Sequence, residues 1–309
     1  MKIIITGALG HIGSSCIRKF ANLFNKLEII MIDDLSTQRY CSLFNLPKNC
    51  KYKFIENKLQ NCNLNLLLPE VNVVLHLAAT TDAAGTAENP ELIFNNNLQA
   101  TNIIAEACLN NNIPLIFPSS TSVYGSQDLL VDENCKELQP QSPYASCKIQ
   151  EEDALLQLSK KGLKVIICRL GTIYGTSPGM RFHTAVNKFC WQAVMGQNLT
   201  VWETAMDQKR PYLDLCDAVN AFYWIVKNNL YDSEIYNIVT SNYTVREVTD
   251  IIKKHVSNLE ISLVKHKIMN QLSYEVSNKK FLATGFKFVG NLRTALQESV
   301  YLLKGHEIA

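Results

Sequence analysis

A short β-branched segment followed by regularly spaced glycines, at the start of the chain, most constrains the fold. Residues 2–6 read Lys-Ile-Ile-Ile-Thr, which is suited to a fully buried parallel strand. Gly7, Gly10 and Gly13 follow at intervals of three residues, and an apolar helical pattern begins at Ile12. Glycines allow a tight turn and bring backbone amides and a helix N-terminus close to phosphate. The segment therefore predicts a strand, a dinucleotide-binding loop and a helix.

An acidic pair ends the next apolar segment, residues 28–32. Asp33 and Asp34 lie about twenty residues beyond the glycines, where an acidic side chain accepts hydrogen bonds from the adenosine ribose and repels a 2′-phosphate. Asp33 directly ends the segment, so we predict that it selects NAD over NADP. The alternative is that Asp34 and Ser36 only begin a loop, and the two interpretations are compatible.

Strand and helix patterns alternate along the first part of the chain. Further strands are predicted at residues 52–56, 71–77, 114–119 and 163–170, and helices at residues 90–110 and 144–161. This alternation predicts an α/β fold with a Rossmann-type, doubly wound parallel sheet. From about residue 180 helices interleave with short strands. We therefore predict a dinucleotide-binding domain at residues 1–179 and a smaller mixed α/β lobe at residues 180–309, between which the chain is free to cross.

Three side chains in the middle of the chain are able to move a proton together. Tyr144 and Lys148 are four residues apart, so on a helix they share one face. A nearby ammonium and a positive nicotinamide ring both favour the phenolate of a tyrosine. Ser120 follows a predicted strand, at the edge where α/β sheets bind ligands, and is able to hydrogen-bond the same substrate hydroxyl. We predict all three as catalytic residues; the alternative for the pair is an amphipathic helix start with a solvent-exposed lysine.

Composition and charge exclude several classes of function. The 309-residue chain has a net charge of +2 and no long charge run, so nothing indicates nucleic acid or an anionic membrane as a partner. No apolar stretch approaches ~18 residues, and we expect no signal peptide before the first strand. The ten cysteines are scattered without paired metal-type spacing, which predicts reduced thiols, no metal site and a cytoplasmic protein.

These motifs together resemble those of the extended short-chain dehydrogenases/reductases, specifically the NAD-dependent nucleotide-sugar epimerase/dehydratase family. The glycine loop, the Tyr-x-x-x-Lys pair and Ser120, four residues before Tyr124, match the family pattern. Further similar segments are His76-Leu77-Ala78-Ala79, Asn97-Leu98-Gln99-Ala100-Thr101, the stretch from Arg210 to Asp217, and Tyr236-Asn237-Ile238. The resemblance covers essentially the whole chain, and it implies NAD as cofactor, a UDP-sugar as substrate and nucleotide-sugar binding by the second lobe.

The resemblance implies specific contacts to both ligands. Cofactor contacts are implied for the glycine loop and for residues at strand ends: Gly7, Leu9, Gly10, His11, Ile12, Gly13, Asp33, Leu77, Ala78, Ala79, Asn97, Ser119, Tyr144 and Lys148. Contacts to the nucleotide sugar are implied for Ser120, Thr172, Arg181, Thr200, Trp202 and Arg210. The guanidinium of Arg210 suits a diphosphate; the alternatives are a surface position for Arg210 and a core position for Trp202. Phe182, His183 and the loop at residues 80–86 are further candidates for the sugar pocket.

The chain also departs from the family pattern. Residues 57–59 read Asn-Lys-Leu in place of Gly-Asp-Ile, so the acid that contacts the adenine in relatives is absent. Thr172 replaces an asparagine, Pro211 replaces an acid beside Arg210, and residues 270–274 lack the second phosphate-binding arginine. These departures leave the identity of the nucleotide and of the sugar open.

The resemblance implies an opening step in which the Tyr144 phenolate removes a sugar hydroxyl proton while a hydride passes to NAD⁺. Dehydratases and decarboxylases of the family need an acid directly after the catalytic serine or threonine, where this chain has Thr121 and Ser122. We therefore predict epimerisation at C4 through a transient 4-keto sugar. The alternatives are epimerisation at another carbon, a nucleotide-sugar reductase, dehydrogenase or dehydratase and, from another class, a dinucleotide-binding regulator without catalysis.

The resemblance finally implies a homodimer. Relatives commonly dimerise by packing the two helices that are predicted here at residues 90–110 and 144–161 into a four-helix bundle. The apolar positions of these helices alone would equally suit packing against the sheet. The homodimer is therefore a prediction from the family.

Overall fold

The computed structural model describes residues 1–81, 90–127, 130–182, 184–264 and 274–304. Its strands are β1 (Lys2–Thr6), β2 (Glu28–Asp33), β3 (Lys51–Glu56), β4 (Val73–His76), β5 (Leu115–Ser120), β6 (Val165–Leu170), β7 (Thr172–Tyr174), β8 (Leu199–Trp202), β9 (Lys209–Asp214), β10 (Ile235–Ile238), β11 (Ser241–Thr244) and β12 (Ile261–Val264). Its helices are α1 (His11–Leu23), α2 (Leu64–Leu67), α3 (Pro90–Ile93), α4 (Gln99–Asn110), α5 (Pro143–Ser159), α6 (Ala185–Val194), α7 (Leu215–Asn228), α8 (Val245–Lys253), α9 (Lys279–Leu282) and α10 (Leu292–Lys304). A π-helical segment, Phe94–Leu98, joins α3 to α4.

A seven-stranded parallel sheet forms the centre of the molecule, in the order β10-β6-β5-β4-β1-β2-β3. The chain starts in the middle of the sheet, extends it to one side through β2 and β3, and then to the other side through β4, β5 and β6. This order is that of a doubly wound fold, whose ligands bind beyond the carboxyl ends of the strands where the order reverses. The predicted Rossmann-type fold is confirmed, and strand bounds differ from those predicted by up to two residues.

Both faces of the sheet are covered, which explains the continuous apolar character of its strands. Ile3 and Ile5 point to one face, where they join a core with Ile17 of α1 and Phe222 of α7. Ile4 points to the opposite face and packs in a second core with residues of α4 and α5. Successive side chains of a strand alternate between faces, so the Ile-Ile-Ile run of β1 supplies both cores.

Helix α5 is held in place at its start and along its length. Pro143 occupies the first turn, and the Ser142 hydroxyl caps the helix by accepting a hydrogen bond from the Ala145 amide at 3.1 Å. This combination of a capping serine and an N-terminal proline favours helix initiation. Further along, Glu152 forms a buried ion pair with Arg169 of β6, with 2.6 Å between Oε2 and Nη2. Tyr144 and Lys148 therefore lie on a helix that is fixed to the sheet at two points.

The chain beyond residue 180 does not form a separate layer throughout. The helix α7 packs against α1, and β10 pairs with β6 in the large sheet. Strands β9 and β11 join β7, which precedes residue 180, in a three-stranded sheet, and β8 and β12 form a parallel pair; the core of this smaller part is shared with α6, α8 and α10. Strands β7, β9 and β11 lie where β6 leads out of the large sheet, so the smaller part adjoins its carboxyl edge. Within the described residues, no helix combines the length and apolar character that crossing a membrane requires.

Candidate functional site

The glycine loop after β1 lies directly on the segment after β4. Gly7 has a φ of +61°, and a Cβ atom there would lie 2.7 Å from the backbone of Leu77 and Ala78. A Cβ atom on Gly13 would lie 2.6 Å from the carbonyl oxygens of Gly7 and Ala8. Both distances are shorter than any side chain tolerates, so glycine is required at these two positions. The loop consequently turns tightly and brings the start of α1 to the sheet edge.

The loop fits the diphosphate of a dinucleotide. Gly10 is the N-cap residue of α1 and offers no side-chain hydrogen bond to the first helical amides, so these amides are available to an anion. Gly7, Gly10 and Gly13 place no side chain on the loop, and the helix dipole favours negative charge at the start of α1. The residues that are present therefore fit the diphosphate of NAD, and contacts of Gly7, Gly10 and Gly13 to it stay a prediction.

Asp33 connects the end of β2 to the glycine loop. Its carboxylate accepts hydrogen bonds from the amides of Leu9 and Leu35, each at 3.0 Å. Burial raises the pKa of Asp33, and the two amides oppose this by stabilising the carboxylate. The side chain is half-buried and lies beside the loop, as a contact to the adenosine ribose requires. This contact remains a prediction.

His11 and Ile12 begin α1 in different surroundings. The His11 ring is buried, and its Nδ1 lies 2.8 Å from the Ser177 hydroxyl. The same segment after β7 approaches the loop again at Gly179, whose amide donates to the Ser14 hydroxyl at 3.1 Å. His11 thus joins the loop to this segment, whereas Ile12 is half-buried.

Two side chains hold the segment after β4. Asn97 was predicted to contact the cofactor, and Thr6 was not predicted to have a role. Asn97 is fully buried and exchanges two hydrogen bonds with the backbone of Thr80, at 2.8 and 2.9 Å. The Ala78 amide donates to the Thr6 hydroxyl at 3.1 Å. Asn97 therefore positions this segment, along which Leu77, Ala78 and Ala79 are half-buried.

The two serines at the end of β5 have different partners. The Ser119 side chain is buried and donates a short hydrogen bond to Glu152 on α5. Ser120 is half-buried and accepts a hydrogen bond from the Ser122 amide at 3.2 Å, with 2.8 Å between the two hydroxyl oxygens. Ser120 thus ends the strand at the sheet edge with its hydroxyl in a polar turn, and Ser119 ties the strand to the helix.

Tyr144 and Lys148 lie one turn apart on α5, as predicted. The Lys148 ammonium is 5.8 Å from the centre of the Tyr144 ring and 4.4 Å from that of Phe117. Burial raises the pKa of Tyr144, and the positive charges of Lys148 and Arg181 oppose that rise. The solvent-exposed alternative is wrong for Lys148, which is 3% exposed.

Sequence reasoning missed the carboxylate that pairs with Lys148. Glu151 lies one helical turn further on, and its Oε2 is 3.0 Å from the Lys148 ammonium. Burial lowers the pKa of Lys148, but the charge of Glu151, followed by that of Tyr144, more than offsets it, so the net shift is upward. An acid three residues after the lysine was the available signal, because such residues are neighbours on a helix.

Apart from Ser120 at the end of β5, the predicted substrate residues lie on the smaller part of the molecule and are all half-buried: Thr172, Arg181, Thr200, Trp202 and Arg210. Arg181 donates a hydrogen bond from Nη1 to the Thr81 hydroxyl, after β4, and its charge acts on Tyr144. Arg181 therefore joins the smaller part of the molecule to the segment after β4 and lies within electrostatic reach of Tyr144. His183 and residues 82–86 and 270–273 lie outside the described residues.

The other members of this set lie on β7, β8 and β9. Thr172 is paired in register with Tyr212, and the Thr200 hydroxyl lies 3.2 Å from Gln192 Nε2. Trp202 packs at the edge of the core of the smaller part. Arg210 contacts Gln208 through Nη2 at 3.4 Å, and its buried Nε donates no hydrogen bond within the described ranges of the chain.

Comparison with known proteins identifies the family. The chain matches the model of the NAD dependent epimerase/dehydratase family over residues 3–239. It belongs to this family. An uncharacterised UDP-glucose epimerase (YtcB) of Bacillus subtilis (strain 168) is 30% identical over 249 residues, which cover 77% of this chain and 76% of that protein. The predicted family and its dependence on NAD are thereby confirmed.

Similarity extends to longer proteins and to solved structures. A trifunctional UDP-glucose 4,6-dehydratase, epimerase and reductase of Arabidopsis thaliana is 27% identical over 92% of this chain, which spans 44% of that protein's length. The UDP-glucuronic acid 4-epimerase of Bacillus cereus, solved with UDP-glucuronic acid and NAD, has a TM-score of 0.87 at 22% identity, covering 98% of this chain and 99% of that one. The UDP-glucose 4-epimerase of Thermus thermophilus, solved with NAD, has a TM-score of 0.84 at 24% identity, covering 99% and 100%. At these identities the likeness to solved structures concerns the fold.

The close approach of the glycine loop predicts the effect of adding one methyl group. Gly7→Ala must displace the backbone of Leu77 and Ala78 in addition to straining its own φ. We therefore expect the free energy of unfolding to fall by at least about 3 kcal/mol, and the affinity for NAD to fall as well. Gly196→Ala is the matched control, since Gly196 has a φ of +65° but no atom within 4 Å of the added Cβ. It should cost about 1 kcal/mol.

Chemical denaturation and titration with NAD measure both variants. Equal losses of stability in the two variants would contradict the close contact, because both share the backbone strain. Full NAD affinity in Gly7→Ala would contradict the placement of the cofactor on this loop.

Proposed function

We propose that the protein catalyses the NAD-dependent epimerisation of a nucleotide-diphosphate sugar at C4, through a transient 4-keto sugar. The observation that carries this proposal is the placement of Tyr144 and Lys148 on one turn of α5, against the strand that ends in Ser120, across the sheet edge from the glycine loop. Tyrosine and lysine at this place supply a base and a positive charge beside a nicotinamide. Solved neighbours that are UDP-sugar 4-epimerases with NAD bound support the same reaction class.

The proposed residues divide the proton chemistry between them. NAD, held by the glycine loop and Asp33, would supply the hydride acceptor and donor for the sugar carbon. The Tyr144 phenolate removes the proton of the C4 hydroxyl, and the Ser120 hydroxyl hydrogen-bonds the same oxygen. The positive charge of the Lys148 ammonium stabilises the Tyr144 phenolate, and Lys148 would also be a donor for the nicotinamide ribose. For epimerisation the keto sugar rotates in the site so that its other face is presented, and Tyr144 then returns the proton to the C4 oxygen.

The turn after Ser120 disfavours the elimination of water. A dehydratase needs an acid and a base next to the sugar ring, and the two following side chains are hydroxyls. The Thr121 hydroxyl donates to the Leu170 carbonyl oxygen at 3.2 Å, and the Ser122 hydroxyl contacts that of Ser120. Neither side chain ionises near neutral pH. Asp33 argues in the same way against an NADPH-dependent reductase, since a carboxylate there repels the 2′-phosphate.

The alternative from outside the enzymes is a regulator that binds the dinucleotide without catalysing a reaction. Such a protein has no need of a buried lysine, and burying Lys148 with Glu151 requires compensation of both charges. This cost favours a chemical role for the pair. Persistent binding of NAD without turnover of any nucleotide sugar would favour the regulator.

The reaction is tested directly by proton NMR. UDP-glucose, UDP-galactose, UDP-N-acetylglucosamine and UDP-glucuronate are each incubated with the protein and NAD⁺. We expect the C4 epimer of one of them to appear without net formation of NADH. Tyr144→Phe removes the base but preserves the ring, so turnover should fall by at least about 100-fold while NAD still binds. Accumulation of NADH without an epimer would contradict the proposal and favour a dehydrogenase.

Arg210 is proposed to bind the diphosphate. Its buried Nε is without a hydrogen-bond partner among the described residues, and a guanidinium binds phosphate through paired donors. Arg210→Met retains the apolar stem, so we expect KM to rise roughly 10- to 100-fold with little change in kcat, as for a contact kept throughout the reaction. Lys209→Met is the control, since Lys209 is exposed and pairs with Glu275. Equal effects of the two substitutions on KM would contradict a specific phosphate contact.

A homodimer through α4 and α5 is proposed from the family resemblance. The outward positions of the two helices include Gln99, Glu106, Gln150 and Asp153, so such an interface would be largely polar. Light scattering should give twice the chain mass of 34.8 kDa, and a monomer at micromolar concentration would contradict the dimer.

We also propose a cytoplasmic location, because all ten cysteines are free thiols. Cell fractionation tests this location.

A further inference from the structure

Glu151 binds both the proposed catalytic lysine and a buried hydroxyl on the neighbouring helix. One carboxylate oxygen, Oε2, is 3.0 Å from the Lys148 ammonium, and the other, Oε1, accepts a hydrogen bond from the Thr101 hydroxyl of α4 at 2.6 Å. The Glu151 side chain is 1% exposed and that of Lys148 4%. Both charges are therefore out of water, and each depends on the other for compensation.

The hydrogen bonds continue from Thr101 to the strand that carries the glycine loop. His76, at the end of β4, lies 3.3 Å from the Thr101 hydroxyl through Nε2 and 2.7 Å from the Thr6 hydroxyl through Nδ1. The Thr6 oxygen in turn accepts the amide of Ala78. Thr6, His76 and Thr101 are all buried. A continuous buried chain thus runs from the proposed cofactor loop to Lys148.

The chemistry of the groups gives this chain one direction. A carboxylate only accepts hydrogen bonds, so the Thr101 proton points to Glu151 and the Thr101 oxygen accepts from His76 Nε2. Burial, followed by the charge of Lys148, lowers the pKa of His76 to about 3, so the ring is neutral and Nδ1 accepts from Thr6. Every donor therefore points toward Glu151, and this orientation stabilises its negative charge.

Other charged groups around the pair are already engaged or lie farther along the site. Glu152, the adjacent acid, binds Arg169 and Ser119. Arg181 donates to Thr81. Burial, followed by the charge of Glu151, raises the pKa of Cys147 to about 12, so this thiol is neutral. Among the described residues, Glu151 is thus the carboxylate that contacts the Lys148 ammonium.

We propose that Glu151 is a positioning residue, which fixes the Lys148 ammonium beside Tyr144 and sets the net charge at the proton-transfer site, while Thr101, His76 and Thr6 anchor its carboxylate. The inference rests on the proposed function in that Tyr144 and Lys148 form the proton-transfer pair. The contacts of Glu151 that carry the proposal are all to groups of the protein. The sugar does not enter the argument, so the role of Glu151 is testable without a known substrate.

The sign of the effect follows from the charge. Glu151→Gln keeps the shape and an acceptor for Thr101 but removes one negative charge close to Tyr144 and Lys148. A negative charge raises the pKa of both groups, as it does here, so its removal lowers both. We expect a downward shift of about one pH unit or more for each.

The experiment is a spectrophotometric titration of tyrosinate in the NAD-bound protein. Subtracting the curve of the matching Tyr144→Phe variant isolates Tyr144 from the other tyrosines, in both the wild-type and the Glu151→Gln background. The midpoint should lie lower in Glu151→Gln. An unchanged or higher midpoint overturns the proposal.

Two further variants separate charge from structure. Asp153→Asn removes the same charge from an exposed position of α5 and should leave the midpoint unchanged, whereas Glu151→Asp should restore it toward the wild-type value.

Once a substrate is known, both limbs of the pH profile of kcat should move to lower pH in Glu151→Gln. A shifted midpoint without turnover of any nucleotide sugar would refute the proposed reaction but not the role of Glu151. Turnover without a shifted midpoint would refute that role alone.

Discussion

The burial of Lys148 is the constraint on which the arrangement of the site depends. An ammonium that is removed from water and left without a counter-charge destabilises the fold or loses its proton. Here α5 brings Glu151 to Lys148 and Glu152 to Arg169, so two ion pairs are buried side by side along one helix. The first pair is oriented by α4 and β4, the second by β5 and β6. Helix, sheet and charge are therefore fixed together, and Tyr144 is presented to the cleft at the start of the same helix.

Much of the fold followed from local patterns. The glycine spacing, the apolar runs of β1 and β2, and the helix that carries Tyr144 and Lys148 each have a local physical cause, and the structure has them where the sequence predicts them. The return of β10 to the large sheet was not predictable in this way. Its short Ile235–Ile238 segment resembles any small strand, and only its pairing with β6 places it in the large sheet.

The site was predictable where one residue type serves one chemical need. Glycine at position 7 and the Tyr144–Lys148 spacing are such cases. The partners of Ser119 and Asn97 were not predictable, because both side chains bind protein groups that become neighbours only on folding. Glu151 and Glu152 are adjacent in sequence, and which of them faces Lys148 depends on how α5 is rotated against α4 and β6. Tertiary packing therefore determines which carboxylate lies beside Lys148 and Tyr144.

The central claim is that a hydride leaves the sugar at C4 and returns to it from a cofactor held in the same site. The most direct test uses the sugar nucleotide that is turned over, carrying deuterium at C4, in ordinary water. The account predicts that the epimer retains the deuterium at C4, since hydride bound to the nicotinamide does not exchange with solvent. Replacement of the deuterium by a solvent proton would contradict it, because the carbon would then have exchanged its hydrogen with water.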